Sequence, residues 1–179
     1  DEVVSLWSQI LLNIPNSKII FKNNQINENS ECNRLIEQFQ NNDINSERII
    51  LEKSESRSKY FYAYNKIDVS LDPFPFPGGI ISIESLWMGV PVLTLTGDSF
   101  LSRQGEGILN NVNLHDWVCK NKEEYVIKAE KMTSNLNKLA LLRSDLRNQV
   151  LNSPLFNASR FAINFEDTLW SMWKKQKYR

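Results

Sequence analysis

The chain has 179 residues, of which 41% are hydrophobic and 23% charged, a length and composition that fit one globular domain and exclude extensive disorder. Its 21 Lys and Arg side chains balance 21 Asp and Glu side chains. This balance disfavours nucleic acid or an acidic membrane as a partner, because neither would meet a strong positive field.

Helical and strand patterns alternate through the first half of the chain. Val3, Leu6, Trp7 and Ile10 share one face and predict a helix over residues 3–12. Further helices are predicted over 30–41, 56–65 and 81–88, and short apolar runs predict strands at 18–21, 48–51, 67–71 and 91–95. Strands that alternate with helices favour a Rossmann-like α/β fold, in which helices flank a parallel sheet.

The second half of the chain is predicted to be helical. A helix over 101–110 is followed by apolar residues at steps of three and four from Lys122 onward, typical of one long helix that Pro154 ends. A last helix over 158–175 carries a second apolar face. We therefore expect two long C-terminal helices to close the fold, and we expect the five tryptophans to pack in the core.

Proline and glycine are concentrated in one segment. All six glycines lie between Gly78 and Gly107, and four of the six prolines lie between Pro73 and Pro91. A strand ending near residue 71 and a helix starting near residue 80 would place a helix N-terminus at the carboxyl edge of the sheet. Open α/β folds bind ligands at this edge, and free N–H groups of a helix terminus suit a phosphate.

Two interpretations of this segment fit the spacing. In one, Gly78 and Gly79 let a phosphate approach the backbone, Ser82 adds a hydroxyl, and Glu84 accepts hydrogen bonds from a ribose. In the other, the glycines form an ordinary turn and Glu84 only complements the helix dipole. Arg103 is either a phosphate contact or an exposed side chain. The segment has neither the GK[ST] of a Walker A loop nor a GxGxxG fingerprint.

Two stretches of this segment resemble the O-GlcNAc transferase and Spindly family. They are IDVSLDPFPFPGG at 67–79 and ESLWMGVPVLT at 84–94. Shorter matches follow the same order over nearly the whole chain: PNS at 15–17, RII at 48–50, SR at 102–103, SPLFN at 153–157 and MWKK at 172–175. Several separate matches in order identify the chain as a member more strongly than one short motif.

The resemblance implies a GT-B glycosyltransferase in which residues 1–179 are the C-terminal, donor-binding lobe. The acceptor lobe, usually preceded by tetratricopeptide repeats, would lie upstream of Asp1, so we expect a fragment of a longer protein. The implied reaction moves a sugar, N-acetylglucosamine or a similar one, from a UDP-sugar to Ser or Thr of proteins. No metal or other cofactor is expected. The catalytic groups would also lie upstream, and the fragment alone is expected to be inactive.

The resemblance also implies roles for individual residues. The helix N-terminus at 79–82 would hold the diphosphate, and Glu84 would contact the ribose. Arg57 and Tyr60 stand where the family commonly has a lysine and a histidine near the nucleoside. The predicted donor-binding residues are Arg57, Tyr60, Gly78, Gly79, Ile80, Ile81, Ser82, Glu84 and Arg103.

The chain departs from the family at Ile80 and Ile81, where relatives often have two threonines. The loss of two hydroxyl groups leaves a second hypothesis open, a catalytically inactive relative that binds nucleotide sugars or serves as a scaffold. A third hypothesis is a sugar-nucleotide epimerase of the same architecture.

Cysteine and histidine usage indicates the cell compartment. Cys32 and Cys119 have no CxxC spacing, and His115 is the single histidine, so neither a disulfide framework nor a zinc site is indicated. We expect a cytoplasmic protein without a membrane anchor.

Overall fold

A computed structural model describes residues 2–23, 29–53 and 56–177. In this part of the chain each of the five strands follows a helix, as the hydrophobic pattern predicts. The α-helices are α1 (Glu2–Asn13), α2 (Asn29–Gln40), α3 (Arg57–Ala63), α4 (Ile80–Trp87), α5 (Gln104–Asn111), α6 (Lys122–Thr133), α7 (Leu136–Leu151) and α8 (Ala158–Lys177). The strands are β1 (Ile19–Asn23), β2 (Ile49–Lys53), β3 (Ser70–Leu71), β4 (Val92–Leu95) and β5 (Val118–Cys119).

The strands form two parallel sheets instead of one. Among the described residues, β1 pairs with β2 in the register Ile19↔Ile49, and β4 lies between β3 and β5. The strand predicted at 67–71 begins only at Ser70 and keeps its predicted end at Leu71, and beyond that end Pro73 cannot extend the ladder because proline has no N–H. The last strand, β5, was not predicted, since two residues show no readable periodicity.

Helix α1 joins the two sheets through opposite faces. Its Leu6 and Ile10 belong to the main core, which α1 and α4–α7 form over β3–β5. Its Val4 and Leu11 belong to a smaller core beneath β1 and β2. The fully buried side chains of the main core include Leu86, Val92, Leu93, Val112, Tyr125, Leu146 and Val150. Helices therefore flank parallel strands, and the predicted α/β class is confirmed.

The single long helix predicted from Lys122 is wrong, because the structure divides it into α6 and α7. The polar residues Ser134 and Asn135 separate them, and the Asn135 side chain caps α7 by accepting a hydrogen bond from the Lys138 N–H at 3.0 Å. Asparagine is among the preferred N-cap residues, so this break follows from local chemistry that the apolar periodicity did not reveal.

Helix α8 differs from α7 in its packing. Leu139, Leu146 and Val150 of α7 are buried, whereas the described α8 side chains, from residue 158 to 176, are all exposed. Trp170 and Trp173 keep 50% and 52% of their surface accessible, so the prediction that they pack in the core is wrong. The two helices were predicted to close the fold together, but only α7 covers the core. No helix in the described ranges is long and apolar enough to cross a membrane.

Candidate functional site

The carboxyl ends of β3, β4 and β5 form one edge, called here the carboxyl edge, where two helices begin. Helix α4 begins eight residues after Asp72, the residue that ends the β3 ladder. Helix α5 begins at Gln104, and a Cβ added at Gly79 would lie 3.0 Å from the Gln104 side-chain oxygen. The N-termini of α4 and α5 therefore lie side by side, and their dipoles favour negative charge between them.

Residues 78–82, called here the α4 turn, present free backbone donors. Gly79 precedes the helix with φ 55° and ψ −108°, a conformation that essentially only glycine adopts without strain. The Ile81 and Ile83 N–H groups donate to the Gly78 and Gly79 carbonyls at 3.1 and 3.2 Å. Among the described residues, the N–H groups of Gly79, Ile80 and Ser82 have no acceptor. Such a terminus suits a phosphate group.

Asp72 lies beneath the α4 turn and is 3% exposed. Its Oδ1 accepts hydrogen bonds from the Ser82 hydroxyl at 2.7 Å and from the Gly78 N–H at 3.2 Å. Burial raises the pKa of this carboxyl group above its ordinary value, and the polar groups of Ser82, Thr94 and Gly78 beside it partly oppose that rise. Asp72 Oδ2 and the buried Thr94 Oγ1 have no hydrogen-bond partner within the described structure.

Sequence reasoning placed Asp72 at the start of the loop but assigned it no role. The signal was present, since an acidic residue directly follows a buried strand at a ligand-binding edge. Ser82, a predicted donor-binding residue, donates its hydroxyl to Asp72 and is 2% exposed.

Arg57 and Glu84, which are 27 residues apart, form an ion pair beside α4. Arg57 Nη2 lies 3.0 Å from Glu84 Oε1, and the two side chains keep 77% and 16% of their surface exposed. The Arg57 guanidinium also lies 4.9 Å from the centre of the Phe61 ring. The pair places a carboxylate and an exposed cation on the flank of α4, where they can meet hydroxyl and phosphate groups together.

Two tyrosines connect α3 to the α4 turn. The Tyr60 and Tyr64 hydroxyls are 2.8 Å apart, and the Tyr64 hydroxyl lies 3.5 Å from the Ile81 carbonyl oxygen. Burial raises the pKa of Tyr60 and of Tyr64, and nearby Glu84 adds to both shifts. Both rings stay neutral at physiological pH and offer hydroxyl groups beside Glu84.

Ile80 and Ile81 lie on the outer surface of the α4 turn. They keep 74% and 55% of their surface exposed, which is high for apolar side chains. The structure thus brings together eight of the nine predicted residues: Arg57, Tyr60, Gly78, Gly79, Ile80, Ile81, Ser82 and Glu84.

Arg103, the ninth, lines a separate polar cavity of about 660 Å³ at the carboxyl edge. Its Nε lies 3.2 Å from Glu106 Oε2, which also accepts the Thr96 hydroxyl at 2.7 Å. Those two contacts lower the pKa of Glu106, the Thr96 hydroxyl more than Arg103. His115 borders the same cavity, with Nδ1 2.8 Å from Asn110 Oδ1. Within the described ranges, no three His, Cys, Asp or Glu side chains are grouped as a metal site requires.

The fold and the carboxyl edge define the class of protein: a Rossmann-like lobe of the GT-B type. A solved structure of an O-GlcNAc transferase from Thermobaculum terrenum, a lysine-to-methionine mutant, matches it with a TM-score of 0.92 and 31% sequence identity. The match covers 100% of this chain and 35% of that one. The predicted fold of a C-terminal GT-B lobe is confirmed.

The chain belongs to glycosyl transferase family 41, whose pattern matches residues 1–165. It is 33% identical over 175 residues to the SPINDLY protein of Arabidopsis thaliana, named a probable UDP-N-acetylglucosamine–peptide N-acetylglucosaminyltransferase. That match covers 97% of this chain and 19% of the relative. A second Arabidopsis protein of the same description, SEC, is 28% identical over 174 residues, covering 96% of this chain and 17% of the relative. The predicted family is confirmed, and the chain spans under a fifth of the length of these two relatives.

Proposed function

We propose that this chain is the donor-binding lobe of a glycosyltransferase that moves a sugar from a UDP-sugar to Ser or Thr of proteins. The observation that carries the proposal is the α4 turn, where the N–H groups of Gly79, Ile80 and Ser82 have no acceptor at the carboxyl edge. The names of the SPINDLY and SEC relatives support a UDP-N-acetylglucosamine donor and a peptide acceptor. Acceptor and catalytic groups are assigned to regions outside this lobe.

In this proposal the α4 turn receives the diphosphate. Its backbone N–H groups and the positive end of the helix dipole stabilise the charge that develops on the departing UDP, without a metal ion. Preorganised amides are effective here because they need no rearrangement as the charge grows. Gly79 has no side chain to obstruct the anion, and Arg57 adds a cation that can swing toward it, since its side chain is 77% exposed.

The nucleoside is assigned to the flank of α4 formed by Glu84, Arg57 and Tyr60. Glu84 accepts hydrogen bonds from the ribose hydroxyls, and its ion pair with Arg57 holds the carboxylate in place. Tyr60 offers an aromatic ring and a neutral hydroxyl. Arg103 precedes α5, which begins beside the α4 turn, and its exposed guanidinium remains a proposed phosphate contact.

A second candidate function is favoured by Ile80 and Ile81. These exposed apolar side chains border the proposed diphosphate site at positions where hydroxyl groups would strengthen binding. A family member that binds UDP weakly, or only as part of a scaffold, fits this surface. The Gly79 and Ile80 backbone donors are unaffected by side-chain identity, so we place the transferase first.

The test is a calorimetric titration of UDP and of UDP-N-acetylglucosamine into this lobe and into a longer protein with its upstream region. The proposal expects UDP binding to both, weakened by Glu84→Ala, with unchanged binding in the surface control Asp145→Asn. Absence of UDP binding to both proteins would refute the donor-lobe assignment.

Product analysis with labelled donor separates the hypotheses. Transfer to protein supports the transferase, and a changed sugar nucleotide supports the epimerase. Binding without any product supports the inactive relative.

The cellular setting is a further part of the proposal. Cys32 and Cys119 are both free thiols, and burial raises the pKa of Cys119 to about 12, so that thiol stays protonated and unreactive. These features fit a reducing compartment such as the cytoplasm.

A further inference from the structure

Asp72 connects the two helix N-termini of the carboxyl edge through opposite sides of one carboxyl group. Its Oδ1 holds the Gly78 N–H and the Ser82 hydroxyl of the α4 turn. Its Oδ2 faces α5, because a Cβ added at Gly105 would lie 2.8 Å from Oδ2 and 2.1 Å from Thr94 Oγ1. The absence of a side chain at Gly105 therefore lets α5 begin directly against the carboxyl group.

This carboxyl group is costly for the fold. It is 3% exposed, and no Lys, Arg or His among the described residues pairs with it. A buried acid without a cation destabilises a protein unless hydrogen bonds satisfy it, and in the described part of the chain Oδ2 has beside it only the Thr94 hydroxyl, which lies outside hydrogen-bond geometry. Buried ionisable groups that lack a charge partner and full hydrogen bonding are concentrated at functional sites.

The hydrogen bonds of Asp72 fix the backbone that the proposed ligand would contact. Gly78 N–H and Ser82 Oγ lie at the two ends of the α4 turn, and both are held on the same oxygen. The residues between them include Gly79 and Ile80, whose N–H groups have no acceptor in the described structure. The Tyr125 hydroxyl anchors the same residue from α6 by donating to the Asp72 carbonyl at 3.0 Å.

We propose that Asp72 is a positioning residue for the diphosphate: it closes the α4 turn so that the free N–H groups of Gly79, Ile80 and Ser82 converge on one anion. Asp72 itself does not touch the ligand and acts through the backbone. The inference rests on the proposed function, since it assigns the diphosphate to the α4 turn.

The test compares UDP with uridine, which lacks the phosphates, by NMR titration of this chain. Asp72→Ala removes both hydrogen bonds that fix the α4 turn, so the affinity for UDP falls by roughly tenfold or more. The affinity for uridine stays within about twofold. Asp72→Asn keeps an oxygen acceptor for Gly78 and Ser82 and restores UDP binding to within about threefold of wild type. Asp145→Asn, an exposed change on α7, leaves both affinities unchanged.

Each outcome decides the inference. A folded Asp72→Ala variant that binds UDP as wild type does, or that loses UDP and uridine equally, overturns the positioning role alone. If Asp72→Ala does not fold, Ser82→Ala decides instead, and unchanged UDP affinity in that variant overturns the inference. A wild-type chain that does not bind UDP overturns the proposed function as well.

Discussion

Replacing Gly78 with alanine tests whether the contacts of Asp72 hold the α4 turn. A Cβ at position 78 would lie 2.7 Å from Ser82 Oγ and 3.0 Å from Asp72 Oδ1. The distance to Ser82 Oγ is shorter than a methyl group accepts and the distance to Asp72 Oδ1 is tight, so the methyl must separate Ser82 from Asp72 or move the turn. Gly78 has no positive φ, and the expected effect therefore comes from crowding and not from backbone strain.

The magnitude follows from the two hydrogen bonds that the methyl disturbs. Losing bonds of about 1 kcal/mol each costs about 2 kcal/mol in the free energy of unfolding. Alanine also restricts the unfolded chain, which raises the free energy of unfolding by about 0.4–1 kcal/mol. The net expectation is a destabilisation of about 1–2 kcal/mol.

Urea unfolding monitored by tryptophan fluorescence measures this difference. Gly107→Ala is the matched control, because no atom lies within 4 Å of its added Cβ and alanine is favoured inside α5. The control should gain about 0.5–1 kcal/mol, whereas Gly78→Ala should lose stability at an unchanged m-value. Equal stabilisation of both variants would refute the crowding argument.

Three further predictions concern Asp72, the apolar surface of the α4 turn and α8. The pKa of Asp72 is raised in the folded state, so folding favours its protonated form and the free energy of unfolding falls as pH rises above about 4. Asp72→Asn lacks this fall, and urea unfolding at about pH 4 and about pH 8 should show the wild type losing stability relative to the variant; a constant difference contradicts the shift. Replacing Ile80 and Ile81 with threonine should strengthen UDP binding about threefold to tenfold in calorimetry, because hydroxyl donors replace exposed apolar groups. Unchanged affinity would show that these two side chains do not contribute to the site. Ending the chain after Asn157 removes α8, whose described side chains are exposed. This truncation should change the free energy of unfolding by less than about 1 kcal/mol and should reduce the binding of a hydrophobic dye. A larger loss of stability would show that α8 stabilises the lobe.

Sequence patterns predicted the elements around the carboxyl edge well. The helix expected at 81–88 is observed as Ile80–Trp87, and the strand expected at 91–95 as Val92–Leu95. Both predictions depend on local signals: apolar periodicity, a proline that enters a strand, and glycines before a helix. The N-terminus of α4 at this edge follows from the same signals.

Contacts between distant parts of the chain could not be predicted in this way. The Arg57–Glu84 pair spans 27 residues, and the Asp72 contacts join a loop to β4 and α5. Residue spacing shows which side chains share a face but not which other element covers that face. Helices α7 and α8 both carry apolar residues at helical spacing, yet only α7 is buried by the lobe. Spacing within each helix could not show this difference.

The most direct test of the account measures which backbone amides respond to UDP. Two-dimensional NMR spectra of the labelled chain should show saturable shifts of the Gly79, Ile80 and Ser82 amide signals on addition of UDP, with much smaller shifts on addition of uridine. The Arg103 amide should respond less, because it already donates to the Ser99 carbonyl at 3.1 Å. UDP binding that shifts amides elsewhere and leaves these three unchanged would contradict the assignment of the diphosphate to the N-terminus of α4.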